Sequence, residues 1–172
     1  MSQVQWPWQY NFPPFFTIQP NVETRKKQLE AWRTLLLNYC STQKICSIDI
    51  REGDRLPVFN NSAISRKLSP EAITTVLEFL QKTGNADPLD KSKTRWHIYW
   101  HTLDEWASII YKWAQDNGMI NTVCTFYEIS SDTGGELNGL DDDVLMKILK
   151  ILERRQQAEI LTLEGGSGVK FF

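Results

Sequence analysis

Apolar positions recur at helical spacing in two stretches of the chain that lie 74 residues apart. Asn21 can cap a first helix that runs to about Tyr39. Thr102, with Glu105 three residues later, forms a capping box for a second helix that ends near Asn117. Both helices carry the pattern L-x-x-W. Their apolar positions correspond one by one: Leu29, Trp32, Leu35, Leu36 and Tyr39 in the first, and Leu103, Trp106, Ile109, Ile110 and Trp113 in the second.

A second pair of helices repeats in the same way, 72 residues apart. Ser69 caps one of them and Pro70 occupies its first helical position, while Asp141 caps the other. Each helix carries one apolar stripe. The stripes are Ala72, Ile73, Val76, Leu77 and Leu80 in the first, and Val144, Leu145, Ile148, Leu149 and Leu152 in the second.

Short β-prone runs and hairpins complete each half of the chain. Runs 45–50 and 122–125 follow the first helix of each half, and short helices are expected around 62–68 and 126–130. Each half then closes with two short strands around a tight turn. These hairpins cover 87–100 and 159–172, with glycines 165, 166 and 168 assigned to the second turn.

The order of helix, strand, helix, helix and hairpin is that of a winged-helix domain. Amphipathic helices always share apolar stripes, so coincidence is the competing explanation. Agreement across two helices and a hairpin at nearly one offset favours a true repeat. The sequence therefore predicts an α+β protein with two tandem winged-helix domains, 21–100 and 101–172. A glycine-rich loop at 131–143 with five carboxylates is expected to be a mobile insert of the second copy.

The first twenty residues have a different character. Residues 6–16 read WPWQYNFPPFF, with six aromatic rings and three prolines in eleven positions. The prolines favour an extended, polyproline-like path with the rings projecting outward. Such a strip could supplement the core of the first domain, bind a WW-type module, or dock into a groove on a stable partner. Because we expect both domains to be complete from Asn21 onward, the partner groove is the favoured hypothesis.

Composition and charge narrow the class of protein. Apolar residues make up 41% of the 172 residues, which predicts packed domains. The formal net charge of −2 argues against a general nucleic-acid binder. No apolar run is long enough to span a bilayer, and no signal sequence or lipidation motif is evident. Cys40, Cys46 and Cys124 lack paired spacing and fit free thiols. We therefore expect a soluble cytoplasmic protein.

The residues that could carry chemistry have simpler explanations. His97 and His101 straddle a predicted strand, which would hold their rings about 13 Å apart, too far to share a metal. The glycine-rich run 165–168 resembles a phosphate loop but has no following helix. A basic turn at 91–95 could touch a nucleic-acid backbone, but the helices that would enter a groove are acidic or apolar. We expect no enzyme activity, no metal and no cofactor. A transcription-associated winged-helix protein that binds DNA or another factor is the alternative.

Three stretches of the chain resemble the small-subunit family of the endosomal sorting complex ESCRT-II. They are W-P-W-Q-Y-x-F-P-P-F-F-T in the tail, the following Gln19-Pro20-Asn21 and the terminal Gly168-Val169-Lys170-Phe171-Phe172. The resemblance covers the whole chain. It implies two copies of this chain in a heterotetramer with two larger winged-helix subunits. It also implies that the tail, residues 1–20, docks on a larger subunit. The contacts it implies are Trp6, Pro7, Tyr10, Phe12, Pro13, Pro14, Phe15 and Phe16.

The resemblance further implies a role for the second domain. Residues 101–172 are expected to engage a myristoylated ESCRT-III subunit, so that ubiquitinated membrane cargo is sorted into multivesicular bodies. The chain would act as a non-catalytic adaptor in the cytoplasm that is recruited to the endosomal membrane through the complex. No direct contact with nucleic acid is implied.

Overall fold

The computed structural model describes residues 4–131, 137 and 140–172. Most of the expected acidic loop at 131–143 therefore lies outside the described residues. The chain divides into two compact units, 1–100 and 101–172, and each has its own core. The α+β class predicted from the sequence is confirmed.

Unit 1 is built from two helices, a three-stranded sheet and a small two-stranded ladder. The helices are α1 (Val22–Gln43) and α2 (Pro70–Lys82). The strands are β1 (Ser47–Asp49), β2 (Asn60–Asn61), β3 (Arg66–Lys67), β4 (Ala86–Pro88) and β5 (Arg95–Ile98). The sheet has the order β1-β5-β4 and is antiparallel, and the ladder is formed by β2 and β3.

The capping residues that the sequence suggested set the helix starts in unit 1. The side chain of Asn21 accepts a hydrogen bond from the backbone N–H of Thr24, and Ser69 accepts one from Ala72. Helix α1 continues four residues beyond Tyr39 and ends at Gln43, and the next residue, Lys44, has the left-handed conformation of a helix stop. The predicted helix at 62–68 is only a 3-10 turn, Ser62–Ile64, followed by β3.

Unit 2 repeats this architecture. Its elements are α3 (Leu103–Asp116), β6 (Val123–Thr125), α4 (Phe126–Ser130), α5 (Asp142–Arg154), β7 (Ala158–Leu163) and β8 (Gly166–Phe171). The sheet order β6-β8-β7 matches β1-β5-β4, because in both units the last strand pairs with the other two. The equivalent sheet order supports the interpretation of the chain as a repeat.

The hairpin of unit 2 is tighter than expected. Leu163 pairs with Gly166, so Glu164 and Gly165 alone form the turn, and Gly166 begins β8. Gly165 has φ of +84°, a conformation that residues with a side chain rarely adopt. The assignment of all these glycines to the turn was therefore wrong, although the hairpin itself is confirmed.

The apolar stripes of the helices form the cores of both units. In unit 1 the stripe of α2 packs with Trp32, Leu36 and Trp96, which are fully buried. In unit 2 the whole stripe of α5 and the side chain of Phe171 are buried, whereas of the α3 stripe only Trp106 and Ile110 are fully buried and the other three residues are partly exposed. None of the described helices combines the length and apolar character needed to cross a bilayer.

Candidate partner-docking site

The proline-aromatic segment, defined as residues 6–16, is not extended. It folds into two 3-10 turns, Trp8–Asn11 and Pro13–Phe16. Pro13 and Pro14 occupy the first positions of the second turn, where a missing N–H costs nothing. The polyproline-like path expected from the sequence was therefore wrong. Three of the six rings are buried and three are exposed, and Trp6 of the exposed set stacks on the buried Tyr10 at 4.0 Å between centroids.

One set of rings points into the core of unit 1. Tyr10, Phe15 and Phe16 are only 9%, 6% and 3% exposed and belong to its hydrophobic cluster. The ring of Phe16 meets that of Trp32 edge to face, at 5.5 Å between centroids. Burying an aromatic side chain stabilises a fold by about 1.5–3 kcal/mol, so these rings contribute substantially to unit 1. The expectation that the domain is complete from Asn21 onward was wrong.

Hydrogen bonds fix the inward rings further. The hydroxyl of Tyr10 donates to the carbonyl of Pro57, and the Asn61 side chain donates to the carbonyl of Tyr10 at 2.7 Å. Burial, and to a lesser extent the neighbouring Tyr39, raise the pKa of Tyr10 above its ordinary value. Tyr10 is therefore a neutral hydrogen-bond donor across the physiological pH range.

The second set of rings faces solvent. Trp8 is 70% exposed, and Trp6 and Phe12 are about 40% exposed. The rings of Trp8 and Phe12 lie 5.7 Å apart between centroids. They line a groove of about 310 Å³ together with Pro14 and Ala31 of α1. Large exposed rings beside an apolar groove are typical of a protein interaction surface. We call the exposed surfaces of Trp6, Trp8, Phe12, Pro13 and Pro14 the outward face.

The eight residues that the family resemblance assigned to a partner are thus divided by the structure. Trp6, Phe12, Pro13 and Pro14 are exposed, and Pro7 is half-buried. Tyr10, Phe15 and Phe16 are taken up by the core of unit 1. Their rings have little surface left for another chain.

Trp8 is an exposed ring of the segment that the family resemblance did not assign to a partner. It is the most exposed ring of the segment and the one that most clearly projects into solvent. In an extended chain, residues two apart project to the same side, so the sequence alone would place Trp8 beside Trp6. The fold places Trp8, which begins the first 3-10 turn, beside Phe12, which directly follows that turn.

The residues that could carry chemistry have structural roles in the part of the chain that the structure describes. Within it, no three His, Cys, Asp or Glu residues are placed to hold a metal ion. His97 is buried in β5, whereas His101 faces Glu105 at 3.4 Å. Burial raises the pKa of the Cys40 thiol, which disfavours a reactive thiolate. The basic turn at 91–95 is a solvent-exposed hairpin turn, in which Asp90 accepts a hydrogen bond from the backbone N–H of Thr94 at 2.9 Å.

Known proteins resemble the chain over its whole length. The model of the family described as "ESCRT-II complex subunit" matches residues 9–142. Vacuolar protein-sorting-associated protein 25 of Danio rerio is 52% identical over 171 residues, which is 98% of each chain.

Two solved structures have the same fold. The crystal structure of subunit VPS25 of the endosomal trafficking complex ESCRT-II superimposes with a TM-score of 0.86, at 33% identity, over 96% of this chain and 98% of the other. The corresponding chain in the crystal structure of the ESCRT-II complex (VPS22/VPS25/VPS36) gives a TM-score of 0.81, at the same identity and coverage.

Proposed function

The chain belongs to the ESCRT-II complex subunit family, and we propose that it is an adaptor that joins the larger subunits of ESCRT-II to ESCRT-III. Its fold is that of a non-catalytic winged-helix subunit of the endosomal trafficking machinery. The observation that carries the proposal is the outward face, which packs on unit 1 through its buried neighbours but is not covered by it.

The outward face is proposed to anchor the chain to the larger subunits. The solved relative assembles with VPS22 and VPS36, so the partners of this chain are taken to be their counterparts. Trp8 and Phe12 supply apolar surface, and Pro13 and Pro14 add rings that lose no rotamer freedom on binding. Exposed tryptophans that enter a partner's pocket are the residue type that most often dominates binding energy.

Unit 2 is proposed to recruit the myristoylated ESCRT-III subunit. It has its own core, so it can present a binding surface while unit 1 is anchored. Exposed apolar side chains on this unit include Val123 and Tyr127, the latter 77% exposed. Two copies of the chain in one complex would hold two recruiting ends together. The second contact would then form at a raised effective concentration, which favours assembly where a single contact is weak.

This arrangement would place the chain in the cytoplasm and bring it to endosomal membranes through the complex. There it would contribute to the sorting of ubiquitinated cargo into multivesicular bodies. Because the chain is acidic overall, attraction to anionic lipid is not expected to contribute much.

The mass and composition of the complex that co-purifies with the native chain test the proposal. We expect two copies of this chain with one copy each of the VPS22 and VPS36 counterparts. Native mass spectrometry measures this stoichiometry directly. A monomeric chain, or a complex with DNA-bound factors and without these subunits, would contradict the proposal.

A further inference from the structure

Gln28 of α1 is a buried polar residue whose side chain lies beside the proline-aromatic segment. It is only 7% exposed. Because it follows the polar run 23–27, the sequence alone would place it at the surface. A buried amide needs hydrogen-bond partners, because an unsatisfied one is costly. Its partners therefore show why a polar side chain is placed here.

The side-chain amide of Gln28 forms hydrogen bonds with the backbone of the proline-aromatic segment and of the residues that follow it. Its nitrogen donates to the carbonyls of Phe15 at 3.0 Å and Thr17 at 2.8 Å. Its oxygen accepts from the backbone N–H of Gln19 at 3.0 Å. The indole N–H of Trp32, one helical turn further along α1, also donates to the carbonyl of Phe15 at 2.9 Å.

Residues 15–19 lie in no β-ladder. The N–H groups of Phe15 and Thr17 bond to local backbone carbonyls, whereas the carbonyls of Phe15 and Thr17 and the N–H of Gln19 take side-chain partners, the Thr17 carbonyl from Gln19 as well as Gln28. An apolar side chain at position 28 would leave the buried carbonyl of Phe15 with fewer donors. Glutamine is suited to the position because it carries donors and an acceptor on one planar group. It can satisfy two carbonyls and one N–H of a chain that passes over it.

Two of the hydrogen-bonded residues also lie in the groove beside the outward face. Phe15 and Gln28 both line the groove beside Trp8 and Phe12. The backbone that Gln28 fixes is thus continuous with the residues that would meet a partner. If the backbone were free, a partner would have to order it on binding, and that ordering would weaken affinity.

We propose that Gln28 is a positioning residue for assembly: by fixing the backbone of Phe15, Thr17 and Gln19, it holds the outward face in its docking shape before a larger subunit arrives. The inference rests on the function proposed above and adds a residue that does not itself belong to the outward face.

The test compares the affinity of full-length variants for a purified VPS22–VPS36 pair by calorimetric titration. Gln28→Met keeps the length of the side chain and removes its hydrogen bonds. We expect the Kd to rise about tenfold or more, as for a binding site that must be ordered on association. The amide hydrogen of Gln19 should also exchange faster with solvent, since its acceptor is gone.

Two matched controls separate positioning from general stability. Gln43→Met makes the same change on α1 at an exposed position about 22 Å further along the helix axis, and it should leave the Kd unchanged. Ile98→Val trims the buried core of unit 1 in β5 and should lower the Tm without changing the Kd. If Gln28→Met does not fold, Gln28→Asn, which keeps the amide on a side chain one methylene shorter, takes its place.

The possible outcomes are distinct. A Kd that rises for the Gln28 variant but not for Ile98→Val supports positioning. A Kd that is unchanged, or that rises equally in Ile98→Val, overturns it and leaves the proposed anchoring intact. If the wild-type chain fails to bind the pair, or binds it independently of Trp8 and Phe12, the anchoring proposal fails and the inference fails with it.

Discussion

The rings of Phe15 and Trp32 are stacked face to face, with 4.3 Å between centroids and 3° between planes. Phe15 belongs to the proline-aromatic segment and Trp32 to α1, and the Trp32 indole also donates a hydrogen bond to the carbonyl of Phe15. One residue pair thus joins the N-terminal segment to the core through both stacking and polar contact. Because of this relationship, the segment is part of unit 1, and only its opposite side remains available for another chain.

Removing an inward ring should destabilise the subunit. We expect Phe15→Ala to lower the free energy of unfolding of unit 1 by about 3–5 kcal/mol, as for other buried aromatics. Phe12→Ala, which truncates an exposed ring of the same segment, should change it by less than about 1 kcal/mol. Denaturant titration measures both values. Equal stability of the two variants would show that the stacking on Trp32 is energetically unimportant.

The elevated pKa of Tyr10 predicts a loss of stability at alkaline pH. Because folding favours the neutral phenol, the contribution of Tyr10 is complete below about pH 10 and is lost as the pH rises through its folded pKa. Tyr10→Phe should be less stable at neutral pH by about 1 kcal/mol, since the bond to Pro57 is gone.

The variant should also lose less stability than the wild type between about pH 8 and about pH 11. The decline should not vanish, because burial raises the pKa values of Tyr39 and Tyr99 as well. Urea unfolding at the two pH values measures the difference. An alkaline decline that is identical in both proteins would contradict the role given to Tyr10.

Asn85 joins α1 to the end of unit 1. Its side chain accepts from the guanidinium of Arg33 at 3.0 Å and donates to the carbonyl of Tyr99 at 3.0 Å. Asn85→Ala leaves the Arg33 guanidinium and the Tyr99 carbonyl without this partner. It should therefore lower the free energy of unfolding by about 1–3 kcal/mol for each group left unsatisfied. Thermal unfolding compared with Asn38→Ala, at an exposed position of α1, measures the effect. Similar Tm values for the two variants would indicate that water replaces the network.

Unit 2 should bind ESCRT-III by itself. We expect residues 101–172 to retain the affinity of the full chain for the ESCRT-III subunit, because the unit has a complete core of its own. Residues 1–100 should show no binding when the two pieces are compared by surface plasmon resonance on the immobilised ESCRT-III subunit. Binding by residues 1–100 alone would reverse the assignment of the two units.

The sequence predicts the helices whose apolar residues recur at a regular spacing. The stripes of α2, α3 and α5 repeat every three or four residues, and Ser69 and Thr102 mark helix starts by a local hydrogen bond. These features depend on neighbouring residues alone. They therefore appear in the structure where the sequence places them.

The fate of the proline-aromatic segment depends on distant residues, and the sequence could not determine it. Six rings without a period show that the segment is buried against something, but not against which chain. The answer depends on Trp32 and Asn61, which meet the segment only in three dimensions. Gln28 is the clearest case, because a glutamine after a charged run is usually on the surface, and only the path of the segment buries it.

The most direct test of the account measures binding of a Trp8→Ser, Phe12→Ser double variant to the VPS22–VPS36 pair. Both side chains are exposed, so the variant should keep the Tm of the wild type. Tyr127→Ser, which removes an exposed ring from unit 2, is the matched control. We expect binding to be about hundredfold weaker or more for the double variant and unchanged for the control. Wild-type affinity in the folded double variant would contradict the claim that the outward face anchors this subunit.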